Sequence, residues 1–134
     1  MHQSSGGKLI HCHGKSDNSA SAASSVIYQD SVRKSMYPDL EFREGYDKLN
    51  EWYRLFLIPG ASHYSPSSAQ PGPFPADVVR SLISWVEEGV NPTLLNATVT
   101  SGPEVVMSQG LCSWPSRPFG ANLLCVYDQV SVDS

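Results

Sequence analysis

"GGKLIHCHGKSD" (residues 6–17) is a short apolar run framed by glycines and followed by a carboxylate. A strand with one covered face alternates apolar and polar residues, whereas Lys8 to Cys12 is nearly continuous. This suits a strand buried on both faces of a parallel sheet, closed by Gly14. The fold follows from whether that pattern recurs. It does at "EWYRLFLIPG" (residues 51–60), a second apolar, aromatic-rich run stopped by Pro59 and Gly60.

Between the runs, Ala22, Ala23, Val26, Ile27 and Met36 stand at helical spacing within 19–37, Arg33 and Lys34 suit the negative end of a helix dipole, and Pro38 stops the element. The segment from 39 to 50 reads as a polar stretch. "ASHYSPSSAQPGPFP" (61–75) is too rich in Ser, Pro and Gly for helix or strand. Val78, Val79, Leu82, Ile83 and Val86 then mark one face of a second helix, with Asp77 at its start and Gly89 as its stop. "LNATVTSG" (95–102) suits a further short strand. Strand, helix, strand, helix predicts an α/β sheet with right-handed crossovers.

In open α/β sheets the functional groups gather where the strands end. The first strand delivers Asp17 to that edge and the second delivers His63. An Asp accepting the Nδ1 proton of a His leaves Nε2 free to take a proton from a hydroxyl nucleophile. Spacing alone leaves two readings open: Asp17 is the partner of His63, or Asp17 caps the helix beginning near Ser19 and His63 is an ordinary loop histidine. Neither Ser16 in "GKSDN" nor Ser62 in "GASHY" lies in a G-x-S-x-G elbow. Hydrolases of this class run nucleophile, acid, histidine, so the nucleophile is expected upstream of Met1 and the chain is expected to be the C-terminal part of something larger.

His11 and His13 share a strand face, but no third ligand appears at convincing spacing, and no metal site is expected. Cys12 between them reads as a buried apolar residue. The three cysteines allow at most one internal disulfide; Cys112 and Cys125 are the better pair, because both lie in the short tail "GLCSWPSRPFGANLLC". Asn96-Ala97-Thr98 is a glycosylation sequon, compatible with secretion.

The 134 residues fit one domain, with 40% hydrophobic and 16% charged residues and ten each of Gly and Pro, which predicts long ordered loops. A net charge of −4 without basic runs argues against nucleic acid as a partner. No segment approaches the roughly 20 apolar residues of a membrane span, and Met1 to Gly7 lack the apolar middle of a signal peptide.

Taken in order, "GGKLIHCHGKSD", "SAASSVIYQDSV", "WYRLFLIPGASH", "QPGPFPADVVRSLISWVEEGVNPTLLNATV" and "LCSWPSRP" resemble the C-terminal portion of the fungal tannase and feruloyl esterase family over nearly the whole chain. The resemblance implies a secreted serine esterase of the α/β-hydrolase fold, acting on gallate or hydroxycinnamate esters of plant phenolics. It implies that residues 1–134 are the last part of a single, here incomplete, hydrolase domain, with Asp17 the triad acid and His63 the general base. The nucleophile, the oxyanion hole and the lid that selects the phenolic ring and binds calcium belong to the region that precedes it. No cofactor is therefore expected in this chain, and its partners would be the phenolic ester and the N-terminal remainder of the domain.

The family usually carries a Cys after the catalytic His, bridged to a Cys beside the nucleophile; here that position is Tyr64. Asn18 stands where Pro is common and Cys12 where an aromatic residue is usual. Neither of the last two changes removes the acid, but Tyr64, the odd cysteine count and the missing elbow leave a second expectation, that of a degenerate, non-catalytic remnant prone to associate through exposed sheet edges.

Overall fold

The computed structural model describes residues 6–62, 73–101, 103–120 and 124–127. Its two reference strands are β1 (Leu9–Gly14) and β2 (Tyr53–Ile58), paired parallel and in register from Leu9 opposite Tyr53 to Gly14 opposite Ile58. β1 is half-buried along most of its length rather than covered on both faces, because β2 is its only strand partner among the described residues. β2 is the more deeply buried strand, with Tyr53, Leu55, Phe56 and Ile58 inaccessible.

Two helices connect the pair. The first, α1 (Ala22–Met36), begins later than the pattern suggests: Ser21 is its N-cap, accepting from the Ala23 N–H at 3.2 Å. Its inward stripe is not the apolar set but Ser25, Gln29 and Arg33, while Ile27 is exposed. These polar groups find partners. Gln29 donates to the Tyr53 carbonyl, and Arg33 bonds Asp30 and lies over the rings of Phe42 and Tyr46. The second helix, α2 (Phe42–Leu49), occupies the stretch read as merely polar. Phe42, Tyr46 and Leu49, at i, i+4 and i+7, supply its buried face and pack with Trp52 and Tyr53 in one of two core clusters.

Beyond β2, Phe74–Pro75 forms a two-residue strand β3 inside the segment expected to be loop. Then comes α3 (Val78–Glu88), with Asp77 as N-cap residue and Gly89 as C-cap at φ 72°. That left-handed conformation favours glycine and lets the helix end on the Ser84 carbonyl. The expected apolar face of α3 is covered only in part, with Val78 packed against the core and Leu82 half-buried. Trp85 is buried, whereas Val79, Ile83 and Val86 are exposed.

The rest of the chain is antiparallel. β4 (Leu94–Ser101) lies between β3 and β5 (Glu104–Cys112), and β6 (Ser116–Phe119) pairs with β7 (Leu124–Tyr127). The tail, to which the sequence reading assigns no element, is thus largely strand among its described residues. Phe56, Ile58, Leu95, Ala97 and Leu111 form the second core cluster, joining the parallel pair to this sheet. Cys112 and Cys125 form a disulfide with Cα atoms 5.5 Å apart, tying β5 to β7. The result is a mixed α/β structure in which a parallel edge is backed by antiparallel strands.

Candidate active-site edge

Gly14 ends β1 because nothing larger fits. A Cβ there would lie 2.4 Å from the Ala61 carbonyl oxygen and 2.6 Å from that of Ser62, both backbone atoms. This close approach joins the two loops that leave the parallel strands. The Lys15 N–H donates to the Ile58 carbonyl at 2.8 Å and the Ser16 N–H to the Ala61 carbonyl at 3.1 Å. Asp17 and Ser62 consequently line one cavity of about 460 Å³, with His11, Cys12, His13 and Phe74. His63 and Tyr64 lie outside the described residues.

The Asp17 side chain is only 3% exposed. Its Oδ1 accepts from the N–H groups of Ser19 at 2.8 Å and Ala20 at 3.1 Å. Asp17 therefore caps the turn before α1, while Ser21 caps the helix itself. Its Oδ2 lies 3.4 Å from Nε2 of His13, a partner the spacing argument did not identify.

His13 belongs to a longer chain of polar contacts. Its Nε2 is 2.9 Å from the Ala20 carbonyl oxygen and its Nδ1 2.5 Å from Ser25 Oγ. Ser25 Oγ is 3.2 Å from His11 Nε2, and His11 Nδ1 is 2.8 Å from the Tyr53 hydroxyl. A carbonyl only accepts, so neutral His13 carries its proton on Nε2 and its Nδ1 accepts from the Ser25 hydroxyl. Ser25 then accepts from His11 Nε2–H, and His11 Nδ1 accepts from Tyr53. One proton order satisfies every member.

The electrostatics agree with that order. Burial, with a smaller contribution from His13, holds the His11 imidazole below its ordinary value, which keeps it neutral. Burial, with Tyr28 and Tyr46 adding to it, pushes the Tyr53 hydroxyl up to about 12, so it stays a donor. Cys12 is pushed up to about 11 by burial and is a thiol, not a nucleophile, at neutral pH.

Ser25, His13 and Asp17 together have the composition of a hydrolytic triad, but not its access. Ser25 is 6% exposed and does not line the cavity, and its oxygen already donates to one imidazole and accepts from the other. Among the described residues no three His, Cys, Asp or Glu side chains are grouped to hold a metal ion. Asn96, the sequon residue, is exposed on β4.

A buried carboxylate at the loop edge of a parallel strand pair, beside the loop that runs into a histidine, places the candidate site of this mixed α/β protein where α/β folds gather functional groups. The chain belongs to the tannase and feruloyl esterase family, whose profile matches residues 1–122. It is 49% identical over 135 residues to a tannase of Aspergillus oryzae, covering 98% of this chain and 23% of the relative. A probable feruloyl esterase of Arthroderma benhamiae is 33% identical over 116 residues, covering 85% of this chain and 20% of the relative. Among solved structures, tannin acyl hydrolase from Aspergillus niger superposes with a TM-score of 0.87 at 46% identity, over 98% of this chain and 24% of that one. Feruloyl esterase B from A. oryzae superposes at 0.72 with 28% identity, over 92% of this chain and 28% of that one. The chain thus spans about a quarter of the length of these relatives.

Proposed function

We propose that residues 1–134 are the acid-and-base portion of an α/β-hydrolase domain that cleaves phenolic carboxylic esters, of gallate or hydroxycinnamate type, by a Ser-His-Asp mechanism. The nucleophilic Ser, the oxyanion hole and the lid, with its calcium, lie on sequence outside these residues. His63 takes the proton of the Ser as it attacks the ester carbonyl and returns it to the leaving alcohol. Asp17 holds the His63 tautomer and stabilises the imidazolium. The protein acts outside the cell, carrying glycan on Asn96.

The observation that carries this reading is the locking of the Asp17 loop to the loop that leads into His63, across Gly14 and the Ala61 and Ser62 carbonyls. The exposed apolar residues of α3 and of β5, Val105, Val106 and Met107, support it too, as surfaces that the N-terminal remainder of the domain covers.

A chimera tests the proposal. In the A. oryzae tannase, the aligned 135-residue segment is replaced by this chain, and hydrolysis of gallate and ferulate esters is measured. Hydrolysis is expected, and His63→Ala in the chimera should lower turnover by roughly three to four orders of magnitude. A His63→Ala chimera as active as its parent would refute the assignment.

Tyr64 favours a second reading, that of a non-catalytic remnant, because the usual Cys after the His is replaced. Intact mass and N-terminal sequencing of the natural product separate the two. An upstream Ser in a hydrolase elbow supports the enzyme, and a product that begins at Met1 supports the remnant.

A further inference from the structure

We infer that His13 is a positioning residue for Asp17, held in one tautomer by a proton-ordered chain that runs from Tyr53 through His11 and Ser25. The inference rests on the reading of Asp17 as the triad acid and assigns roles to residues that this reading leaves unused.

Geometry makes the case. Asp17 Oδ1 is committed to the turn N–H groups of Ser19 and Ala20. Oδ2 is the oxygen beside His13 Nε2, at 3.4 Å. Its direction therefore depends on where the His13 ring stands and on which nitrogen bears the proton. With Nε2 protonated, His13 donates to the Ala20 carbonyl at 2.9 Å and sets that N–H 3.4 Å from Oδ2, so the carboxylate and the turn meet the ring at one point.

The opposite tautomer would set the lone pair of Nε2 against a carbonyl and a carboxylate. The Ser25 hydroxyl suppresses that tautomer by donating to Nδ1, provided that Ser25 Oγ itself receives a proton from elsewhere. His11 Nε2–H supplies it, and the Tyr53 hydroxyl fixes His11 in turn. The four elements around His13 are β1, α1, β2 and the Asp17 loop. They contribute His11, Ser25, Tyr53 and Asp17 respectively, so the chain runs from a phenol hydroxyl through imidazole, serine and imidazole to a carboxylate.

The experiment uses the natural polypeptide that carries these residues, labelled with ¹⁵N-histidine, together with steady-state kinetics on a gallate or ferulate ester. Both imidazoles are expected as Nε2–H tautomers. Ser25→Ala, which removes a partner of each ring, should shift the ¹⁵N resonances of both imidazoles while far-ultraviolet dichroism is unchanged, and Asp17→Asn should shift the His13 resonances. Ser25→Ala and His13→Phe should lower kcat about tenfold or more with KM within twofold. His13→Gln, whose amide N–H replaces Nε2–H, should recover most of the loss.

If Ser25→Ala moves neither ring, or if His13 shows the tautomer mixture of a solvated imidazole, the inference is overturned whatever the kinetics. Should Asp17→Asn retain full turnover while the tautomers are as expected, the triad reading fails and so does the positioning role built on it. A large loss in Asp17→Asn with ordinary His13 tautomers leaves the triad standing and removes the relay alone. If fluorophosphonate labels Ser25, that hydroxyl is a nucleophile and the positioning role is wrong.

Discussion

Gly14 shows how one residue sets the edge that carries the candidate site. Its hydrogen is the only substituent that lets the Ala61 and Ser62 carbonyls close on β1. Gly14→Ala should cost about 1–3 kcal/mol of stability, as overpacking against fixed backbone does. Denaturant unfolding of the two variants measures it. The neighbouring Cys12 should be inert: with its pKa near 11, about a thousandth of it is thiolate at pH 8. Labelling by a thiol reagent should accelerate by about a hundredfold or more on unfolding, and equal rates in both states would contradict its burial. His11 carries a sign for acid stability. Its folded pKa lies below the unfolded value of 6.5, so the unfolded chain binds more protons as pH falls through that value. The His11 contribution is fully present above about pH 6.5 and declines below it. The melting temperature should fall between pH 7 and 5, and His11→Gln should flatten that slope. Asp17 was legible at this scale as a group at a strand end. Its tie to His13 was not, because a strand pattern cannot show which imidazole turns toward a loop one turn later.

At the scale of elements, the strands were more legible than the helix faces. "LIHCHG" and "YRLFLI" repeat one pattern and pair in parallel register. In α1 the apolar period misleads, because the helix turns Ser25, Gln29 and Arg33 inward, each matched to a polar partner on β1, β2 or α2. A pattern built on apolar burial has no way to register a polar stripe whose partners are distant in sequence. For α2, Phe42, Tyr46 and Leu49 were the available signal, masked by the charged residues between them. In α3 the periodicity is sound but its cover is not among the described residues. The helix prediction follows: Val79→Ser with Ile83→Ser should change the stability of the 134-residue chain by less than about 0.5 kcal/mol, as exposed substitutions do. In the chimera, where this face would be covered, the same pair should cost about 2–5 kcal/mol by thermal or denaturant unfolding. Equal effects in both settings would contradict the proposed cover.

On the scale of the whole molecule, an α/β core was predictable from element order, but the antiparallel half was not. The tail residues from Glu104 to Tyr127 are interrupted by Pro, Gly and Ser and are assigned no element by the sequence reading, yet β5 pairs with β4, β6 pairs with β7, and the Cys112–Cys125 bridge ties β5 to β7. Arg54 adds a second tie, donating to Asn91 and, at 2.7 Å, to Ser113 Oγ, so that β2 is joined to the segments that follow α3 and β5. In the proposed function this architecture is the backing against which Asp17 would be held. The central claim is that Asp17 serves a hydrolytic histidine, and the kinetics of Asp17→Asn in the active chimera test it most directly. The account predicts a fall in kcat of about 10³–10⁴ with KM changed only a few fold, since the amide leaves the geometry but fixes the wrong tautomer. A kcat within tenfold of the parent would contradict it.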